Sequence, residues 1–210
     1  MKLYSMSGSC ALSINITLEW IGKPFEVELV LHGDNRKPAY LAVNPAGQVP
    51  ALVLDDGVVL TQVAAILTWL VDTHPGARLG ASSSEPFERF ELAQALSYLT
   101  EDVHGAFAPF FGPGRFLDDA ALFGDLKKKA LQQVAVHIRD LDSKLGDQPF
   151  LFTTGRSVAD SYLYVLTRWA AYLPDGLTPF PKLAAFRLRM ESDPGVQRAL
   201  VAQKLKPLGG

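Results

Sequence analysis

The sequence predicts two unlike parts: a mixed α/β unit over residues 1–75 and an all-helical remainder from residue 85 onward. Three observations carry this division. Strand-like runs occur only before residue 61, the breakers Lys23-Pro24 and Asp56-Gly57 punctuate them, and every later apolar pattern repeats at helical spacing.

Taken in order, residues 2–4 are the first strand, followed by a Ser/Gly turn over residues 5–9. From Cys10, the positions Leu12, Ile16, Trp20 and Ile21 share a helical face, and Gly22 ends that helix. Lys23-Pro24 opens a second strand over residues 25–31, where Glu26 and Glu28 alternate with Val27 and Leu29. Strand, helix and strand form a βαβ unit, which calls for parallel strands. Residues 35–43 read as irregular or briefly helical and stop at Asn44-Pro45. A strand over residues 51–54 turns at Asp55-Asp56-Gly57 into residues 58–60, a hairpin by the Asp-Gly rule. A helix over residues 62–74 follows, with Thr61 as its N-cap. The order βαβ, connector, ββα makes a small three-layer unit.

Pro75-Gly76 and the polar run 80–84 form a linker, so the division is 1–75, 76–84 and 85–210. Phe87, Phe90, Leu92, Leu96 and Leu99 give a helix over residues 85–111, ended by Pro109 and the Gly112-Pro113-Gly114 cluster. Helices over 118–145, 157–173, 181–191 and 195–205 complete a bundle.

Charge and cysteine content exclude several classes of function. With 20 basic and 22 acidic residues the chain lacks the clustered basic surplus that nucleic-acid binding requires. A single cysteine permits no intrachain disulfide, so a disulfide-stapled secreted scaffold is excluded and a cytoplasmic setting is expected. Ser13, Asn15, Thr17 and Glu19 interrupt the N-terminal apolar run, and no segment reaches the roughly 20 apolar residues of a membrane helix. His32, His74, His104 and His137 have no ligand spacing, so no metal is expected.

Four places carry chemistry. Cys10 opens the first helix, where unpaired amides and the helix dipole favour a thiolate; the plain alternative is a small buried cysteine. Ser9 either caps that helix or donates a hydrogen bond to a thiolate above it. Val49-Pro50 precedes a strand, and a cis bond there would turn the Val49 backbone outward to pair with an extended peptide. Gln62 and Val63 start another helix, whose amides suit a ligand carboxylate. His104 lies late in the long helix ahead of Phe107, Phe110 and Phe111, where the default is a core histidine. Lys127-Lys128-Lys129 is a solvated face, and Ser157 with Asp160 forms a capping box that serves stability.

Together these pieces resemble the cytosolic glutathione transferases, and among them the bacterial beta class. The resemblance rests on Lys2-Leu3-Tyr4, Ser7-Gly8-Ser9-Cys10, residues 44–52 (NPAGQVPAL), Leu60-Thr61-Gln62, Ala65-Ile66-Leu67 and the Ser157 to Asp160 box, and it spans almost the whole chain. It implies a thioredoxin-like first domain, an all-helical second domain, a homodimer and glutathione as co-substrate for detoxifying conjugation. It also implies a cis Pro50, with Val49 pairing the cysteinyl part of glutathione while Gln62 and Val63 hold the γ-glutamyl end. Cys10, Ser9 and His104 then surround the glutathione sulfur, and Phe107, Phe110, Phe111 and Trp169 line the pocket for an apolar electrophile. The chain departs from the family at Val63, where a serine is usual, at Gly105, where a lysine is common, and at Ser97, in place of an asparagine.

Three readings follow from the residues. The first is a transferase that adds the glutathione thiolate to an apolar electrophile. The second is a monothiol redox enzyme in which Cys10 attacks a glutathionyl disulfide. The third is a non-catalytic dimeric binding protein on the same fold, to which Val63 points.

Overall fold

The computed structural model describes residues 1–80, 86–152 and 154–208. All four strands lie in the first part: β1 (Lys2–Ser5), β2 (Glu26–Leu29), β3 (Ala51–Val53) and β4 (Val59–Thr61). They form one mixed sheet in the order β2-β1-β3-β4. The βαβ unit makes β1 and β2 parallel, with Leu3 opposite Val27, while β3 runs antiparallel to both β1 and β4. This is the thioredoxin-like arrangement.

Alternation along β1 sets the layers. Leu3 and Ser5 are fully buried toward α1 (Ala11–Ile21) and α3 (Val63–Thr73), while Tyr4 points to the other face. There it meets Tyr40 of the short α2 (Pro38–Leu41) edge-on, with ring centroids 5.7 Å apart. Gly22 takes a left-handed conformation (φ 76°) and returns its amide to Leu18, which ends α1 where expected. Asp56 and Gly57 make the β3–β4 turn, and Gly57 supplies the positive φ of 88° it needs.

Beyond residue 85 the described chain is helical apart from one isolated bridge, Phe152 to Gly155. Its helices are α4 (Pro86–Ser97), α5 (Gly105–Phe111), α6 (Phe123–Leu145), α7 (Val158–Trp169), α8 (Pro181–Ser192) and α9 (Pro194–Ala202). Among the described residues, no helix is long and apolar enough to cross a membrane. One apolar core runs from Leu3 through α1 and α3 into α7, whose twelve residues are all buried. The N-terminus of α7 is fixed by Asp160, whose carboxylate accepts from the Ser157 amide (2.7 Å), the Ser157 hydroxyl (2.9 Å) and the Leu151 amide (2.8 Å).

Two expectations need correction. The helix over 85–111 is not continuous: a π-helical segment, Tyr98–His104, separates α4 from α5, and Pro109 is carried inside α5 instead of ending it. Glu85 itself lies outside the described residues. The N-cap of α3 is Gln62 and not Thr61, which is still paired in β4; the chain absorbs the strand-to-helix turn at Gln62. Residues 76–80 of the linker are tied to the helical part, because Leu79 is buried and its carbonyl accepts the Val158 amide at 2.7 Å. A Cβ on Gly80 would come within 2.6 Å of Val71, so only glycine permits that approach; the rest of that linker, residues 81–84, lies outside the described chain. In α1 the polar residues Ser13, Asn15 and Thr17 are enclosed as well. Since α1 is sandwiched between the sheet and the helical part, all three are fully buried, and Thr17 meets Ser161 of α7 at 3.1 Å.

Candidate active site

A cleft of about 690 Å³ opens between the two parts. The first part contributes Cys10 at the start of α1, the segment from Asn44 to Pro50, and Thr61, Gln62 and Val63 at the β4–α3 junction. The helical part contributes Thr100 and His104 of the π-helical segment, Gly105 and Ala108 of α5, Arg115, and Tyr162 of α7. The fold therefore brings Cys10, Val49, Pro50, Gln62, Val63 and His104 together from four separate stretches of chain.

The segment before β3 is rigidly built. Tyr40 Oη and Asn44 Nδ2 both donate to the Gln48 carbonyl, at 2.6 and 2.7 Å, and Asn35 Nδ2 donates to the Gly47 carbonyl at 2.7 Å. A Cβ on Gly47 would lie 2.8 Å from the Asn35 carbonyl oxygen, so this position closes only with glycine. The Val49–Pro50 peptide is cis. Among the described residues the Val49 amide has no hydrogen-bond acceptor, while its carbonyl accepts from Cys10 Sγ at 3.8 Å.

At the second helix start, Gln62 adopts φ 70° and ψ 119°, a conformation that costs an L-residue about 1–3 kcal/mol. No side chain caps α3. Its first amides carry no side-chain acceptor, at the positive end of the helix dipole.

Cys10 is the N-cap of α1, one residue later than the expected start at Cys10 with Ser9 as cap, although its own backbone is already helical (φ −56°). Ser9 is half-buried, lies outside the cleft lining, and its Oγ accepts from the Ala11 amide at 3.3 Å. Its observed contact is the capping one. Burial pushes the Cys10 thiol up to about 12; the amides of Cys10 and Ala11 oppose this as the helix start should, but more weakly. A thiol in that range holds little thiolate near neutral pH, which does not favour the monothiol redox reading.

His104 Nδ1 lies 2.6 Å from the Tyr162 hydroxyl, and the imidazole stands edge-on to Trp169 with centroids 4.8 Å apart. Burial lowers its pKa to about 4, so the ring is neutral at physiological pH. Burial also raises the Tyr162 phenol, with Cys10 adding to the effect.

The structure does not bring Phe107, Phe110, Phe111 and Trp169 to the cleft wall. They stack on one another: Phe107 meets Phe111 at 5.6 Å, Trp169 meets Phe107 at 5.4 Å, and Phe110 meets Tyr172 at 5.1 Å. Phe107 is fully buried and Trp169 nearly so, because the indole N–H donates to the Gly8 carbonyl at 2.8 Å. The aromatic cluster thus braces the turn that carries Cys10.

Sequence reasoning missed Tyr162, Thr100, Arg36 and Arg115. Tyr162 sits in an apolar helix pattern, where only its hydroxyl hinted at a polar partner. Arg115 lies in the Gly112-Pro113-Gly114 breaker cluster, read only as a helix stop. Thr100 gave no signal.

Comparison with known proteins places this geometry in context. The family model described as glutathione S-transferase, N-terminal domain, matches residues 8–73, and that of the C-terminal domain matches residues 121–194. The chain is 36% identical to glutathione S-transferase GST-4.5 of Xanthomonas campestris, over 98% of this chain and all of that one. It superposes on the bacterial beta-class glutathione S-transferase of Sphingomonas chungbukensis with a TM-score of 0.88 and 36% identity, covering 98% of this chain and 100% of the other. A sphingomonad glutathione S-transferase complexed with glutathione gives 0.87 and 34%, covering 98% and 100%.

Proposed function

This chain belongs to the glutathione S-transferase family of enzymes, and from that premise we propose that it binds glutathione in this cleft and transfers its sulfur to an apolar electrophile. The single observation that supports the reading is the meeting of Cys10, Val49, Gln62, Val63 and His104 around one opening.

The tripeptide lies extended against Val49, whose amide and carbonyl pair with the cysteinyl residue as a further strand would. The γ-glutamyl carboxylate sits on the uncapped amides at the start of α3, beside Gln62 and Thr61. The glycyl carboxylate points to Arg36, which is tied to this rim by its Nη1 contact to the Ala46 carbonyl at 3.4 Å. In this pose the glutathione sulfur reaches the start of α1. Its proton leaves to water in the open cleft. The thiolate is then held by the amides of that helix start and by His104 Nε2–H, with the Tyr162 hydroxyl donating to Nδ1. Cys10 keeps its own proton on the Val49 carbonyl, and Ser9 caps the helix. The sulfur lone pair forms the new S–C bond as the electrophile's leaving group departs with its electron pair.

Calorimetric titration with glutathione, followed by conjugation to an aromatic halide, tests the reading. Binding with turnover that falls in His104→Gln and persists in Ser9→Ala supports it; no binding at millimolar glutathione overturns it. The homodimer is part of the same proposal. Phe87 and Phe90 stack at 6.2 Å on the outer face of α4 while 70% and 56% exposed, an aromatic pair that self-association would cover. Analytical ultracentrifugation of the Phe87→Ser/Phe90→Ser variant should show a shift to monomer.

A further inference from the structure

The charge of the cleft is one-sided. Among the described residues that line it there are two arginines and no aspartate or glutamate, in a chain where acids outnumber bases 22 to 20. The two arginines differ in their surroundings. Arg36 belongs to the rim that the glycyl end of glutathione occupies under the reading above, on which this inference rests. Arg115 stands on the opposite, helical wall with Gly105 and Ala108.

Arg115 ends the 3-10 turn Pro113–Arg115, which is fixed by the Arg115 amide on the Gly112 carbonyl (3.1 Å) and the Phe116 amide on the Pro113 carbonyl (2.9 Å). Its stem lies back over Gly112, where a Cβ would approach Arg115 Cδ to 3.1 Å. The guanidinium has no carboxylate and no hydrogen-bond acceptor among the described residues. The nearby acid Asp119 is committed elsewhere, capping the next turn through the Ala121 amide at 2.9 Å. Both carboxylates of glutathione have donors in the first part of the chain, so neither needs this cation.

We propose that Arg115 is a specificity-determining residue of the acceptor half of the cleft, and that the electrophile this enzyme takes carries an oxyanion, such as a carboxylate, at the end away from its reacting carbon. A guanidinium fork receives such a group bidentately, and a wall without acids imposes no opposing repulsion. An apolar body then packs over Ala108 and Gly105 while its charged end is drawn to Arg115. Phe107 and Trp169 of the aromatic cluster are buried and none of its rings lines this cleft, so the wall itself selects by charge and not by ring stacking.

The test compares two glutathione S-conjugates on the full chain by calorimetry at low salt: S-benzylglutathione and S-(para-carboxybenzyl)glutathione. Wild type should prefer the carboxybenzyl conjugate, and Arg115→Gln should weaken that conjugate about tenfold while leaving the benzyl conjugate and glutathione itself unchanged. Arg115→Lys should restore most of the preference, and added salt should erode it. Equal losses for both conjugates overturn the inference, as does a loss confined to glutathione, which would return Arg115 to the tripeptide. If wild type binds neither conjugate nor glutathione, the glutathione reading falls first and takes this one with it.

Discussion

A cysteine at the start of a helix is ordinarily expected to be reactive, and Cys10 provides a quantitative test of when that expectation fails. Its side chain is 8% exposed and donates to the Val49 carbonyl, and burial moves the thiol from an ordinary 9.0 to about 12. At 1.36 kcal/mol for each tenfold change, ionising this thiol costs about 4 kcal/mol more than in water. The thiolate fraction at any pH below the ordinary value is therefore about a thousandfold smaller. Iodoacetamide attacks only the thiolate, so its second-order rate constant near pH 7.5 should be about a thousandfold below that of the same cysteine in the denatured chain. Mass spectrometry of timed, quenched samples across about pH 7 to 9.5 reads this directly, and the rate should rise tenfold per pH unit without a plateau. Conjugating activity should survive Cys10→Ala to within about threefold, since no step uses its thiolate. Alkylation within tenfold of the denatured chain, or a rate that levels off near neutral pH, would show that the helix start outweighs burial and would refute the reasoning.

Three other outcomes follow from the same contacts. His104 titrates near 6.5 when unfolded but only near 4 in the fold, so the unfolded chain binds the extra proton first as pH falls. Stability should therefore decline by up to about 3 kcal/mol from pH 6.5 toward 4; urea melts at stepped pH should show a flatter acid slope in His104→Gln than in wild type. Val63→Ser adds a hydroxyl at the start of α3, and calorimetry should find glutathione bound about tenfold more tightly; unchanged affinity would mean that the γ-glutamyl carboxylate lies elsewhere. Asp160→Ala strands the buried Ser157 amide and the Leu151 amide, so a urea melt should show a loss of about 3 kcal/mol or more.

How much was legible in the sequence varied with the range of the interaction involved. Gly22 ended α1, Asp56-Gly57 turned the hairpin, and Ser157 with Asp160 started α7, each because a short-range backbone requirement selects particular residues. The candidate site was half legible: Cys10, Val49, Gln62 and Val63 converge, since each sits at an element end that a sheet of this order directs to one edge, and the helical part brings His104 to them. The aromatic pocket was not legible. Phe107, Phe110, Phe111 and Trp169 show apolar spacing alone, and spacing cannot say whether a ring faces a ligand or another ring. The π-helical segment at Tyr98–His104 has no internal glycine or proline to announce it.

The sequence by itself determined the order of elements, the parallel βαβ unit, the two helix starts that meet at the cleft and the family to which the chain belongs. These depend on local conformational preference and on spacing, which are properties of consecutive residues. Tertiary structure alone decided what each functional group is chemically. It buried Cys10 so that a thiol suited to ionise does not, joined His104 to Tyr162 and kept it neutral, turned Trp169 inward to brace the Gly8 turn, and left Arg115 as an uncompensated cation on the helical wall of the cleft. Protonation state and charge complementarity depend on desolvation and on partners distant in sequence, and both exist only once α1, α5 and α7 have packed together.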